Sequence, residues 1–185
     1  MIIYIHGFGS SGLGMKATIF KNQLATNSFI APSLSYIPNL AIQTLEELIM
    51  TFNKNGTKVG LIGSSLGGYY AIYLSNKYNI KSVLINPSTN PIKTLAKSIG
   101  DAPSFYDESS FKWSRNHLEM LKKYEVKDID SSLYFLLTQI GDELLDYKIA
   151  VKKLEGAKMI IEDGGNHSFE GIEKYIQDVE KFLSI

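Results

Sequence analysis

Along this chain the apolar residues switch between two periods. Short, nearly continuous apolar runs occur at Ile2-Ile-Tyr-Ile5, Lys58-Val-Gly-Leu-Ile62, Ser82-Val-Leu-Ile85, Leu133-Tyr-Phe-Leu-Leu137 and Met159-Ile-Ile161. They lack polar alternation, which is the pattern of strands buried on both faces. Phe29-Ile30-Ala31, stopped by Pro32, adds a shorter strand. Between the runs, apolar residues recur at helical spacing: Ala17, Phe20 and Leu24; Ala41, Leu45, Leu48 and Phe52; Leu118, Met120, Leu121 and Tyr124; Leu145, Ile149 and Leu154; and finally Phe169, Ile172, Ile176, Val179 and Leu183. Asn39 stands where it can cap the second helix, and Gly56 lies just past its end. Strands alternating with helices predict an α/β fold of about six parallel strands with helices on both faces, in one domain over 1–185. The rhythm breaks at 88–130, which is long for a plain connection and shows no obvious strand before Leu133. Its aromatic residues, Phe105, Tyr106, Phe111 and Trp113, suggest a small cap or excursion that could supply an apolar acyl pocket.

Composition narrows the chemistry. With 185 residues and 44% of them hydrophobic, the chain can bury one good core. Nineteen basic and nineteen acidic side chains cancel, so no field favours nucleic acid or an anionic membrane as a partner. The absence of cysteine excludes disulfides, thiolate metal sites and cysteine nucleophiles, and fits a cytoplasmic protein. Ile2-Ile-Tyr-Ile5 reads as a strand rather than a signal peptide, and no run is long enough to span a bilayer.

The chemistry concentrates at Gly63-Ser-Ser-Leu-Gly67, a G-x-S-x-G pentapeptide between an apolar run and a helix. In that setting it predicts a nucleophile elbow, with Ser65 alone on a strained turn at a helix N-terminus. A tight packing turn or a phosphate cradle would use similar residues, so the rest of the constellation decides. Gly7-Phe-Gly-Ser-Ser-Gly12 spells G-x-G-x-x-G, but a dinucleotide site needs an acidic residue about 20 positions on, and none occurs before Glu46. Met15 separates Gly14 from Lys16, so the P-loop pattern also fails. No cofactor or metal is expected. The glycine turn suits an oxyanion hole instead, with the Phe8 and Leu66 N–H groups as donors. His6 precedes the serine in the chain and is expected to order this turn by hydrogen bonds; His117 and Arg115 read as surface charge. Asp142 follows one late strand and His167 lies in a glycine-rich loop after the next, so Ser65, Asp142 and His167 run in the order of a hydrolase triad. Glu143, Asp146 and Asp163 compete as the acid; Glu143 should point away from its neighbour, and Asp146 suits a helix N-terminus.

These blocks, His6-Gly-Phe8 with Ser10-Ser11, Gly63-Ser-Ser-Leu-Gly-Gly-Tyr-Tyr-Ala71, Asn86-Pro87, Gly141-Asp-Glu-Leu-Leu-Asp-Tyr147 and Gly164-Gly-Asn-His167 with Phe169, resemble the YqiA-like bacterial esterases of the α/β-hydrolase superfamily. The resemblance implies Ser65, Asp142 and His167 as nucleophile, acid and base, and hydrolysis of carboxylic esters or thioesters of modest acyl length. Acyl transfer at the same site and a non-catalytic binding module are the rival readings. Gly9 departs from the pattern, where a polar residue such as asparagine is expected, and 88–130 is the least similar segment.

Overall fold

The computed structural model describes residues 1–26 and 28–184. Six strands form one sheet: β1 (Ile2–Ile5), β2 (Phe29–Ile30), β3 (Gly60–Ser64), β4 (Ser82–Ile85), β7 (Tyr134–Gln139) and β8 (Lys158–Glu162). Their order is β2-β1-β3-β4-β7-β8, and every pairing is parallel. Each strand therefore delivers its C-terminal end to the same rim.

The continuous apolar runs are explained by packing on both faces. Ile3, Ile5, Leu61, Leu84, Tyr134 and Leu136 point to one side, against α2 (Pro38–Lys54) and α3 (Leu66–Tyr78). Ile2, Tyr4, Ile62, Val83, Phe135 and Leu137 point to the other, against α1 (Met15–Gln23) and α7 (Ile176–Leu183). A fully buried Ile or Leu contributes about 1.5–3 kcal/mol, so the strand registers are pinned by both cores.

Several boundaries differ from the sequence expectation. Helix α2 begins at Pro38, a residue whose fixed φ suits the first helical position, so Asn39 lies inside the first turn and accepts the Tyr124 hydroxyl instead of capping. Phe169 is buried but precedes the last helix, at φ 62°. The 88–130 segment contains a two-stranded antiparallel ribbon, β5 (Gly100–Pro103) with β6 (Ser110–Trp113), besides the short helices α4 (Pro91–Thr94) and α5 (Arg115–Lys122). Phe111 and Trp113 pack edge-on against Phe8, with ring centroids 5.3 and 4.8 Å away, whereas Phe105 and Tyr106 at the ribbon turn are exposed. His117 is not surface charge: its ring lies between Tyr36 and Trp113, and its Nδ1 accepts the Ser114 N–H at 3.2 Å, closing the start of α5. Among the described residues no helix is long and apolar enough to cross a membrane.

Candidate active site

Ser65 lies between the end of β3 and the start of α3, with φ 54° and ψ −120°. For a residue with a side chain this is a strained conformation, held by its surroundings. Its N–H donates to Ile85 O at 3.1 Å and its carbonyl accepts the Ser88 N–H at 2.9 Å, so the neighbouring strand's exit grips it on both sides. Helix α3 starts immediately beneath because Gly67 has no side chain; a Cβ there would lie 2.0 Å from Ile5 O.

The other two candidates reach Ser65 from later strand ends. His167 Nε2 is 3.0 Å from Ser65 Oγ, and His167 Nδ1 is 2.8 and 3.0 Å from the two carboxylate oxygens of Asp142. The Asp142 side chain is 2% exposed, and its Oδ1 also accepts the N–H groups of Leu144 and Leu145, both at 2.9 Å. These bonds fix the carboxylate's orientation, and with Nδ1 donating to it, Nε2 is left as the acceptor that faces the serine hydroxyl.

Of the three competing acids, Asp163 is exposed just past β8, and the other two have partners of their own. Asp146 caps α6 (Tyr147–Lys153) by accepting the Lys148 N–H at 3.0 Å, as its position suggested. Glu143 does not point away: its Oε2 accepts the His167 backbone N–H at 2.9 Å. Hydrogen bonds from its own N–H and from that of His167 hold its carboxyl below the usual range. Lys16, which sequence reasoning set aside with the failed P-loop, donates from Nζ to Ser168 O at 2.9 Å and so braces the residue next to His167. Burial lowers its pKa, and the charge of Asp142 opposes that shift.

The loop after β1 closes over the serine. A Cβ on Gly7 would sit 3.1 Å from that of Ser65. Phe8 and Leu66 line the same cavity as Ser65 and His167, and among the described residues neither of their N–H groups donates a hydrogen bond. His6 is buried behind this loop; its Nε2 accepts the Leu34 N–H at 2.9 Å, which places the proton on Nδ1, facing Gly7 O at 2.8 Å. The cavity encloses about 220 Å³ and has mostly apolar walls, including Leu95, Pro103, Phe105, Leu144 and Leu145. Among the described residues no group of three or more His, Asp or Glu side chains is placed to hold a metal ion.

The chain matches, over residues 1–184, the model of the uncharacterised protein family UPF0227. Similar proteins include a UPF0227 protein of Vibrio cholerae serotype O1 (strain ATCC 39315 / El Tor Inaba N16961), 28% identical over 186 residues that cover 98% of each chain. Another, from Serratia proteamaculans (strain 568), is 25% identical over 194 residues, covering 100% of this chain and 99% of the relative. Among solved structures, Est1E from Butyrivibrio proteoclasticus with ferulic acid bound superposes at a TM-score of 0.73 with 13% identity, covering 99% of this chain and 87% of that one. The mouse alpha/beta hydrolase domain-containing protein 10 superposes at 0.71 with 16% identity, covering 99% and 89%. The fold is that of the α/β-hydrolases.

Proposed function

We propose that this chain, which belongs to the family UPF0227, is a serine hydrolase of the YqiA-like kind that cleaves small carboxylic esters or thioesters through Ser65, His167 and Asp142. The observation that carries this reading is the unbroken relay from Ser65 Oγ through His167 to Asp142, with spacings of 3.0 and 2.8 Å, at a strained strand-to-helix turn.

In this reading Ser65 Oγ attacks the acyl carbon while His167 Nε2 takes its proton, and Asp142 stabilises the imidazolium. The Phe8 and Leu66 N–H groups stabilise the oxyanion, each contributing about 3 kcal/mol to the transition state. Collapse of the intermediate expels the alcohol or thiol, which leaves with the proton held on His167. Water then attacks the acyl-enzyme: His167 accepts a proton from it, returns that proton to Ser65 Oγ as the acyl–oxygen bond breaks, and the acid is released. The apolar walls of the cavity favour an acyl group of modest length. Residues 88–130 act as a cap in this scheme, since Leu95, Pro103 and Phe105 from that segment form part of the walls. The charge balance and the lack of cysteine fit a cytoplasmic enzyme with small-molecule substrates.

The test is turnover of an activated short-chain ester and its thioester by the parent and by Ser65→Ala, together with labelling by a fluorophosphonate. Ser65→Ala should lower kcat by about 10⁴-fold or more, and only the parent should be labelled. Asp142→Asn should lose far more than Glu143→Gln, which still accepts the His167 N–H through its amide oxygen. Full activity in Ser65→Ala would remove the serine from the mechanism.

A further inference from the structure

We propose that Asn86 is a positioning residue that holds the His167 loop in register with Ser65 and with the strand end that carries Asp142. This rests on the hydrolase reading above. The turn leaving β4, residues 85–88, touches all three segments. Its first and last residues, Ile85 and Ser88, each make a backbone hydrogen bond with Ser65. Between them Asn86 is 2% exposed and adopts φ 39°, while its own N–H donates to Leu137 O at 2.9 Å.

The Asn86 side chain joins the remaining two. Its Nδ2 donates to Asn166 O at 2.9 Å and to His167 O at 3.2 Å. Its Oδ1 accepts the Gln139 N–H at 3.0 Å and the Thr138 hydroxyl at 3.2 Å. Gln139 ends β7, three residues before Asp142. All four hydrogen-bonding positions of the amide are thus filled, and the partners fix which end is nitrogen: two carbonyls on one side, a backbone N–H and a hydroxyl on the other. Gln139 holds the same loop by its opposite groups, its Oε1 accepting the N–H of Asn166 at 3.2 Å and of Glu170 at 2.9 Å.

Few residues can do this at position 86. A positive φ favours Gly, Asn and Asp. Glycine has no side chain, and aspartate, ionised or protonated, supplies at most one of the two donated bonds. Asparagine alone among the three donates to both carbonyls; without it Asn166 O keeps the Phe169 N–H at 3.0 Å, while His167 O, next to the imidazole, loses the one donor it has among the described residues. A shift of the imidazole by about 1 Å costs on the order of 10²-fold in rate.

The experiment compares the parent with Asn86→Asp and Asn86→Gly, reading kcat and KM per mole of folded protein and the downfield proton resonance of His167 Nδ1–H by NMR. Asn86→Asp keeps the acceptor oxygens and the tolerance of positive φ, whereas Asn86→Gly removes the side chain without adding charge. In both, kcat should fall by about 10- to 100-fold while KM changes less than about twofold, and the Nδ1–H resonance should broaden or vanish. A parent-like kcat and an unchanged resonance, with only the melting temperature lowered, would mean that Asn86 merely stabilises the fold and would overturn the proposal. The resonance needs no substrate. If the parent proved inactive on every ester and thioester, the hydrolase reading would fail while the spectra still reported whether Asn86 holds the His167 loop.

Discussion

His6 shows how a residue type associated with catalysis can be committed to architecture. Its Nε2 accepts from Leu34 and its Nδ1–H faces Gly7 O, so a second ring proton would set two N–H groups against each other. Burial lowers its pKa, with the bond to Gly7 opposing the shift in part. As pH falls below about 6.5, the unfolded chain takes up a proton that the folded chain refuses. The stabilisation from neutral His6 is therefore complete above about pH 6.5 and is lost as pH falls toward the lower folded value, by at most about 1.4 kcal/mol per pH unit. His6→Gln, whose amide oxygen can still accept from Leu34, should lose less stability than the parent between pH 7 and 5.5, measured as urea midpoints. Equal losses would relieve His6 of this role. The residue scale was also where sequence reading was most uneven. Chain order pointed to Ser65, Asp142 and His167 as candidates because successive parallel strand ends in an α/β-hydrolase fold present nucleophile, acid and base in that order. The partners of Glu143 and Asn86 were invisible, because side chains meeting backbone 24 and 80 residues away leave no local pattern.

At the scale of elements, buried parallel strands announce themselves by composition, and the β5–β6 ribbon does not. Gly100-Asp-Ala-Pro103 has neither an apolar run nor alternation; it is a strand because it pairs with Ser110–Trp113, whose aromatic residues pack on Phe8. The ribbon also explains the departure at Gly9. That residue has φ 67°, its carbonyl accepts the Phe105 N–H at 2.7 Å, and a Cβ there would lie 2.4 Å from Pro103 O. Asparagine tolerates the backbone angle but not the contact. Gly9→Ala should push the ribbon off the β1 loop, costing about 1–3 kcal/mol of stability. Because Pro103 and Phe105 both line the cavity beside Ser65, it should also raise KM most for the longest acyl chain accepted. A series of ester chain lengths run on both proteins checks this, and a uniform change across the series would argue against the ribbon as a wall of the pocket.

For the whole molecule, a single geometric fact gathers the rest. Parallel strands with helical returns leave every chain reversal of one kind on one rim, and the elbow, the Asn86 turn, the Asp142 turn and the His167 loop all occupy it. That convergence was legible from the alternation of periods, because no other arrangement buries five continuous apolar runs so economically. The fold of 88–130 was not, since it is settled by contacts with Phe8 and Tyr36 from distant parts of the chain. The opposite rim, where α2 hands over to β3 near the exposed Asn55, is left without a part in the proposed chemistry. Since the polypeptide carries no native thiol, Asn55→Cys would give a unique attachment point there. Molecules coupled through it to a maleimide-coated bead should all face their clefts outward and keep any kcat/KM measured for the free protein, whereas coupling through Tyr106→Cys on the ribbon turn should block them. A scaffold of zero formal net charge and without cysteine, with its candidate site and its handle on opposite rims, is thereby suited to oriented immobilisation on a bead or sensor surface.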